Sequence, residues 1–93
     1  MSQSTVGVFD ASTPWKLSDQ VSLRDEPFGA LAYHHGNRRL VFLKSPELVT
    51  LVRRLEEFSS VGDAIDAVVS PKEHVRYVKA LSSLAVSEIL SGR

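Results

Sequence analysis

The chain contains no cysteine, which removes disulfide frameworks, thiolate zinc sites, iron–sulfur ligation and thiol nucleophiles together. It has no surplus charge: eleven Lys and Arg balance eleven Asp and Glu, so gross electrostatic capture of nucleic acid or anionic lipid has no driving force. No run approaches the roughly 20 apolar residues that cross a bilayer. The polar start Met1-Ser2-Gln3-Ser4-Thr5 lacks the regions of a signal peptide. A cytoplasmic protein with neither membrane nor nucleic acid as partner is the expectation. His34 and His35 are adjacent and face opposite sides of a strand, and His74 has no partner at helical spacing, so no metal site is expected. There is no G-x-S-x-G elbow and no glycine-rich phosphate loop, and Asp63 and Asp66 read as a solvated helix surface. Neither an enzyme nor a cofactor is indicated.

What is present suits one small core. Of 93 residues, 43% are apolar and 24% charged, values of an ordinary globular domain. Residues 1–14 show no period and read as a loose arm pinned by Phe9 or Trp15, ahead of a single domain over 15–93. Val21 and Leu23 alternate with Ser22 and Arg24, which predicts a strand over 21–26. Glu26-Pro27-Phe28-Gly29 reads as a turn into a second strand over 29–34. Gly36-Asn37 signals a two-residue hairpin, followed by a third strand over 38–44.

At Ser45 the period changes to about 3.6. Ser45 as N-cap and Pro46 at the first helical position open a helix over 46–58, with Leu48, Leu51, Val52, Leu55 and Phe58 on one face. Arg53 and Glu57 lie four apart on its wet side. Ser60 opens a second helix over 61–69. Ser70-Pro71-Lys72-Glu73 opens a third over 71–90, with Gly92 as its stop. Strands followed by helices give an α+β fold, a three-stranded antiparallel sheet covered on one side by three helices.

Two elements carry more apolar surface than such a core needs. In the third strand Leu40 and Phe42 point one way while Val41 and Leu43 point the other. On the third helix Val75, Tyr77, Val78, Leu81, Leu84, Ala85, Val86 and Ile89 spread over about half the circumference. One reading is that a small fold wraps this helix on two sides. The other is a groove between the third strand, an edge of the meander, and the third helix, where an extended peptide adds itself as a strand. Arg38, Arg39 and Lys44 flank the strand, and Lys72, Arg76 and Lys79 sit early on the helix. These charges either guard the edge against aggregation or meet an acidic peptide.

The run Pro27-Phe28-Gly29-Ala30-Leu31-Ala32-Tyr33-His34-His35-Gly36-Asn37-Arg38-Arg39-Leu40-Val41-Phe42-Leu43-Lys44 resembles the signature P-F-G-A-L-x-Y-H-x-G-x-R-x-L-x-F-L-K of the mycofactocin biosynthesis chaperones. Trp15-Lys16-Leu17 and Val21-Ser22-Leu23-Arg24 match that family's W-x-L and V-x-x-R elements, and the likeness covers most of residues 15–90. These chaperones belong to the recognition elements of ribosomally made, modified peptides, a class that includes the small quinone-cofactor pathway protein. The resemblance implies a winged-helix-like fold without catalysis, which binds the leader of a short precursor peptide and presents it to a radical S-adenosylmethionine maturase. It further implies leader pairing with the backbone from Arg39 to Leu43. Tyr77, Val78 and Leu81 would form the helical wall, and Arg38, Arg39 and Lys44 would meet acidic leader residues. Which face of the strand looks into the groove is open at this level, because a one-residue shift flips it. A winged-helix DNA-binding or regulatory protein is the competing reading, and a homodimer formed through the same free edge is a third.

Overall fold

The two-residue periodicity of residues 21–43 folds into an antiparallel meander of β2 (Val21–Glu26), β3 (Gly29–His34) and β4 (Leu40–Leu43), with β3 in the middle. The computed structural model describes residues 9–93 and places a short strand at each end of this unit. β1 (Trp15–Leu17) pairs antiparallel with β5 (Leu90–Gly92), joining the start of the domain to its end. Between the sheets lie α1 (Pro46–Arg54), α2 (Val61–Val68) and α3 (His74–Val86), with tight 3-10 turns at Leu55–Glu57 and Pro71–Glu73. The architecture is thus α+β, and the three-stranded sheet with three helices is compatible with a winged-helix-like arrangement.

Turn chemistry accounts for most boundaries. Pro27-Phe28 links β2 to β3, and Gly29 follows at φ +151°, where a Cβ would collide with the Leu43 carbonyl oxygen. The β3–β4 connection differs from the expected two-residue hairpin. Five residues separate the strands, the Arg38 N–H donates to the His34 carbonyl at 2.8 Å, and the left-handed residue is Arg38, φ +65°. The cause is the buried His34 imidazole, whose Nδ1 accepts the N–H groups of Gly36 and Asn37 at 3.0 Å each. Gly36 is needed there because a Cβ would press on that ring, 2.8 Å from its Cε1, and not for a positive φ. The strand expected over 38–44 consequently starts at Leu40.

Ser45 and Ser60 cap their helices as expected, their hydroxyls accepting the N–H of Leu48 and Asp63 at 3.1 Å. Ser70 does not. Its carbonyl takes the Glu73 N–H at 2.9 Å, which makes a tight turn before α3. The third helix also ends at Val86, short of the expected Leu90. Glu88 adopts φ +66° and the Ile89 N–H reaches back to the Leu84 carbonyl at 2.9 Å, a Schellman closure without its usual glycine. The Asn37 amide holds this reversal, donating to the Ser87 carbonyl and the Glu88 carboxylate at 3.3 and 3.1 Å. Ile89 and Leu90 continue the apolar rhythm but point into the core from the far side of the turn.

The core fills the space between the inner sheet face and the helices. Ala30 and Ala32 keep the sheet thin at its centre, and Leu43, Leu51, Leu55, Ile65, Leu81 and Ile89 occupy the volume this leaves. On the wet side, Arg53 bonds Asp25 of β2 and Arg54 bonds Glu57, a different pairing from the Arg53–Glu57 spacing. The expected arm over 1–14 falls partly outside the described residues. Within them, residues 9–14 are tied down: the Ala11 and Thr13 carbonyls accept the first N–H groups of α2 at 2.8 and 3.1 Å, and Phe9 lies against Trp15.

The Asp10 carboxylate accepts the Ser12 N–H and hydroxyl, and these bonds hold its pKa below the usual carboxylate range. A depressed carboxylate stabilises the fold above its unfolded pKa and loses that contribution as pH falls through the folded one. The Ser12 amide should therefore keep its protection in an NMR acid titration until the pH falls below the ordinary carboxylate range. At the other turn, Gly29→Ala should lower stability by about 3 kcal/mol or more in urea denaturation, since strain and collision act together.

Candidate functional site

The hydrogen-bond register decides which backbone groups are free. The His34 N–H donates to the Arg39 carbonyl at 2.9 Å, so residues 34 and 39 form a hydrogen-bonded pair. Alternation along an antiparallel ladder then assigns Val41 and Leu43 to β3, opposite Ala32 and Ala30. The N–H and C=O groups of Leu40 and Phe42 point the other way, to an edge that no strand occupies among the described residues. The opposite edge, β2, is defended: Asp25 sits on it and is held by the Arg53 guanidinium at 2.9 Å.

The same alternation settles the faces. Leu43 is fully buried and Val41 half-buried against the core, whereas Leu40 and Phe42 stand 56% and 54% exposed on the side away from the helices. Just past the end of β4 a cleft of about 120 Å³ opens between residues 44–48 and α3, lined by Lys44, Ser45, Leu48, Arg76, Tyr77 and Ala80. It runs into a wider cleft of about 410 Å³ that shares Ser45, Arg76 and Tyr77 and reaches Glu47, Val69 and Glu73. Tyr77 is the floor of both, its hydroxyl 3.3 Å from the Ser45 Oγ that also caps α1. Arg76 lies over the Tyr77 ring and donates to Glu73 at 2.7 Å. That hydrogen bond and the carboxylate's charge raise the guanidinium's pKa above its ordinary value.

Of the residues singled out from the sequence, the structure gathers Lys44 and Tyr77 at the cleft. Leu81 lies fully buried in the core, and Val78 packs half-buried against that core without lining the cleft. The width of the apolar face on α3 comes from packing on two sides, with α2 and with β5. Only Val75 and Val86 remain open on this helix as large exposed apolar residues. Arg38, Arg39 and Lys44 are exposed, and no carboxylate bridges any of them among the described residues. Arg76, singled out from the sequence only as a positive charge early on the helix, proves to be a cleft wall, and Ala80 was not anticipated there. The available signal was their place one residue before and three after Tyr77, on the same flank of the helix. Among the described residues no three His, Asp or Glu side chains converge on a metal-sized point, and no helix is long and apolar enough to cross a membrane.

Residues 14–91 match the model of the "Peptide chaperone MftB family". Proteins named peptide chaperone MftB are similar along most of their length. The one from Mycobacterium ulcerans is 46% identical over 90% of this chain and 78% of its own. That of Mycobacterium tuberculosis is 41% identical over 91% and 79%, and that of Mycolicibacterium smegmatis 40% over 88% and 81%. No solved structure matches.

Two proline substitutions test the edge assignment without any ligand. Val41→Pro removes a ladder hydrogen bond and should cost about 3 kcal/mol or more. Phe42→Pro removes only an outward N–H and should stay within about 1 kcal/mol of Phe42→Ala. Urea melts of the three variants provide the comparison.

Proposed function

We propose that this chain, which belongs to the MftB peptide chaperone family, binds the leader of a mycofactocin precursor peptide as an added strand on β4 and presents it to a radical S-adenosylmethionine maturase. The observation that carries this reading is the pair of outward backbone edges at Leu40 and Phe42 on a strand whose end leads into a cleft walled by α3. An extended guest satisfies those N–H and C=O groups regardless of its sequence. Specificity then comes from alternate side chains. Those of the guest that point toward the helices enter the cleft between Leu48, Tyr77 and Ala80.

Charge sets the chemistry of the guest. Arg38 and Arg39 lie at one end of β4 and Lys44 at the other, all without a carboxylate partner among the described residues, so acidic leader residues are favoured at both ends. The same distribution opposes a peptide-free homodimer through this edge. A twofold antiparallel pairing would bring Lys44 of one copy toward Arg38 and Arg39 of the other, and like charges across a ladder are destabilising. The chain's part is binding and orientation, and the redox chemistry belongs to the maturase.

Fluorescence anisotropy with a labelled leader peptide tests the reading. Relative to Phe42→Ala, Phe42→Pro should weaken binding by about tenfold, about 1.4 kcal/mol, because only the proline removes the donor. Affinity should also fall as salt rises from about 0.05 to about 0.5 M, where exposed charges are screened. Equal affinity for the two variants would show that the leader is not a strand on β4.

A further inference from the structure

The cleft accounts for one side of the sheet edge, but the largest exposed apolar side chains of the strands lie on the other. Phe28, Leu40 and Phe42 are 43%, 56% and 54% exposed, and the rings of Phe28 and Phe42 meet at 5.8 Å. Between them, half-buried on the same face, stand Leu31 opposite Phe42 and Tyr33 opposite Leu40. These two pairs are the non-hydrogen-bonded ones of the ladder, in which side chains approach most closely. The five residues make a continuous apolar surface across two strands and a turn, away from every helix. Contiguous exposed apolar surface of this kind marks an interaction site more often than scattered single residues do.

The polar residues around it are already satisfied. Arg24 bonds Glu26 at 2.7 Å, and Ser22 bonds the His35 ring, which stands edge-on to Tyr33. Among the described residues the charges nearest the patch along β4 that no carboxylate bridges are Arg38 and Arg39 before the strand and Lys44, which also lines the cleft, after it, all positive. A guest strand on the edge of β4 borders Leu40 and Phe42 alone. Leu31 lies one strand farther in, about 4.8 Å, and Phe28 sits on the turn beyond, so a single added strand leaves both open. A wider, folded partner is needed. A second copy would set the same positive residues against themselves, whereas an apolar surface rimmed with carboxylates complements both the centre and the border.

We infer that this outer sheet face docks a folded protein bearing an apolar patch ringed by carboxylates, and that the maturase receiving the peptide is that protein, which rests on the function proposed above. The peptide would then lie along the edge of β4 and the enzyme on the outer face around Phe28 and Leu31, so the chain brings them together without either displacing the other.

Binding of the full-length chain to the maturase, and separately to the leader peptide, tests this with Phe28→Asp, a position outside the cleft. The substitution should weaken maturase binding by about tenfold or more and leave leader affinity within about twofold. Phe28→Ser, without the added charge, should give a smaller loss in the same direction and covers the case in which the aspartate disturbs the turn. Unchanged maturase affinity overturns the inference. So does parallel loss of leader binding, which would make the face part of the peptide site. Association of the chain with phosphatidylglycerol vesicles, or a dimer in sedimentation, that Phe28→Asp abolishes would assign the face to lipid or to self-association and likewise overturn it. A wild-type chain that binds leader but not maturase overturns the docking surface and leaves the cleft reading standing.

Discussion

A strand bonded along one side only is the constraint around which the rest of this molecule is arranged. β4 gives the N–H and C=O groups of Val41 and Leu43 to β3 and leaves those of Leu40 and Phe42 without a strand partner among the described residues. Water satisfies such groups at little cost, so the fold tolerates the edge, and any extended chain that reaches it can replace that water. Selectivity therefore has to come from the surroundings. They supply a helix wall with Tyr77 at its foot and positive charge at both ends of the strand.

The packing explains why the edge stays open and oriented. Ser45 terminates β4, caps α1 and touches the Tyr77 hydroxyl, so one serine sets the strand end, the helix start and the cleft floor. At the other end, Asn37 ties the β3–β4 loop to the end of α3, and the buried His34 ring holds that loop's N–H groups. α3 is thus fixed to the sheet near both ends of β4. The β1–β5 pairing and the contacts of residues 9–14 with α2 close the far side of the core.

Local signals carried much of this to the surface of the sequence. The meander was legible from alternation and from Pro27 and Gly29, and α1 from Ser45-Pro46 and its apolar stripe, while the residue 27–44 run that resembled the mycofactocin chaperones agrees with the family match. What escaped depended on distant partners. β1 and β5 are three residues each and exist because they pair with one another across the whole chain. Helix α3 stops at Val86 because Glu88 takes a left-handed conformation that Asn37 supports, a contact no helical periodicity reports. The hairpin is shaped by an imidazole acceptor that takes the N–H groups of its Gly-Asn pair, not by positive φ at those two residues. The face of β4 was undecidable from alternation alone. Only the burial of Leu43 against the exposure of Phe42 resolves it.

Amide hydrogen exchange on the chain with and without leader peptide measures the central claim at single-residue resolution. Strand addition on β4 should leave Val41 and Leu43, already bonded to β3, nearly unchanged, and should slow exchange at Leu40 and Phe42. New protection on β2, or none at Leu40 and Phe42 when the leader saturates the chain, would contradict the account.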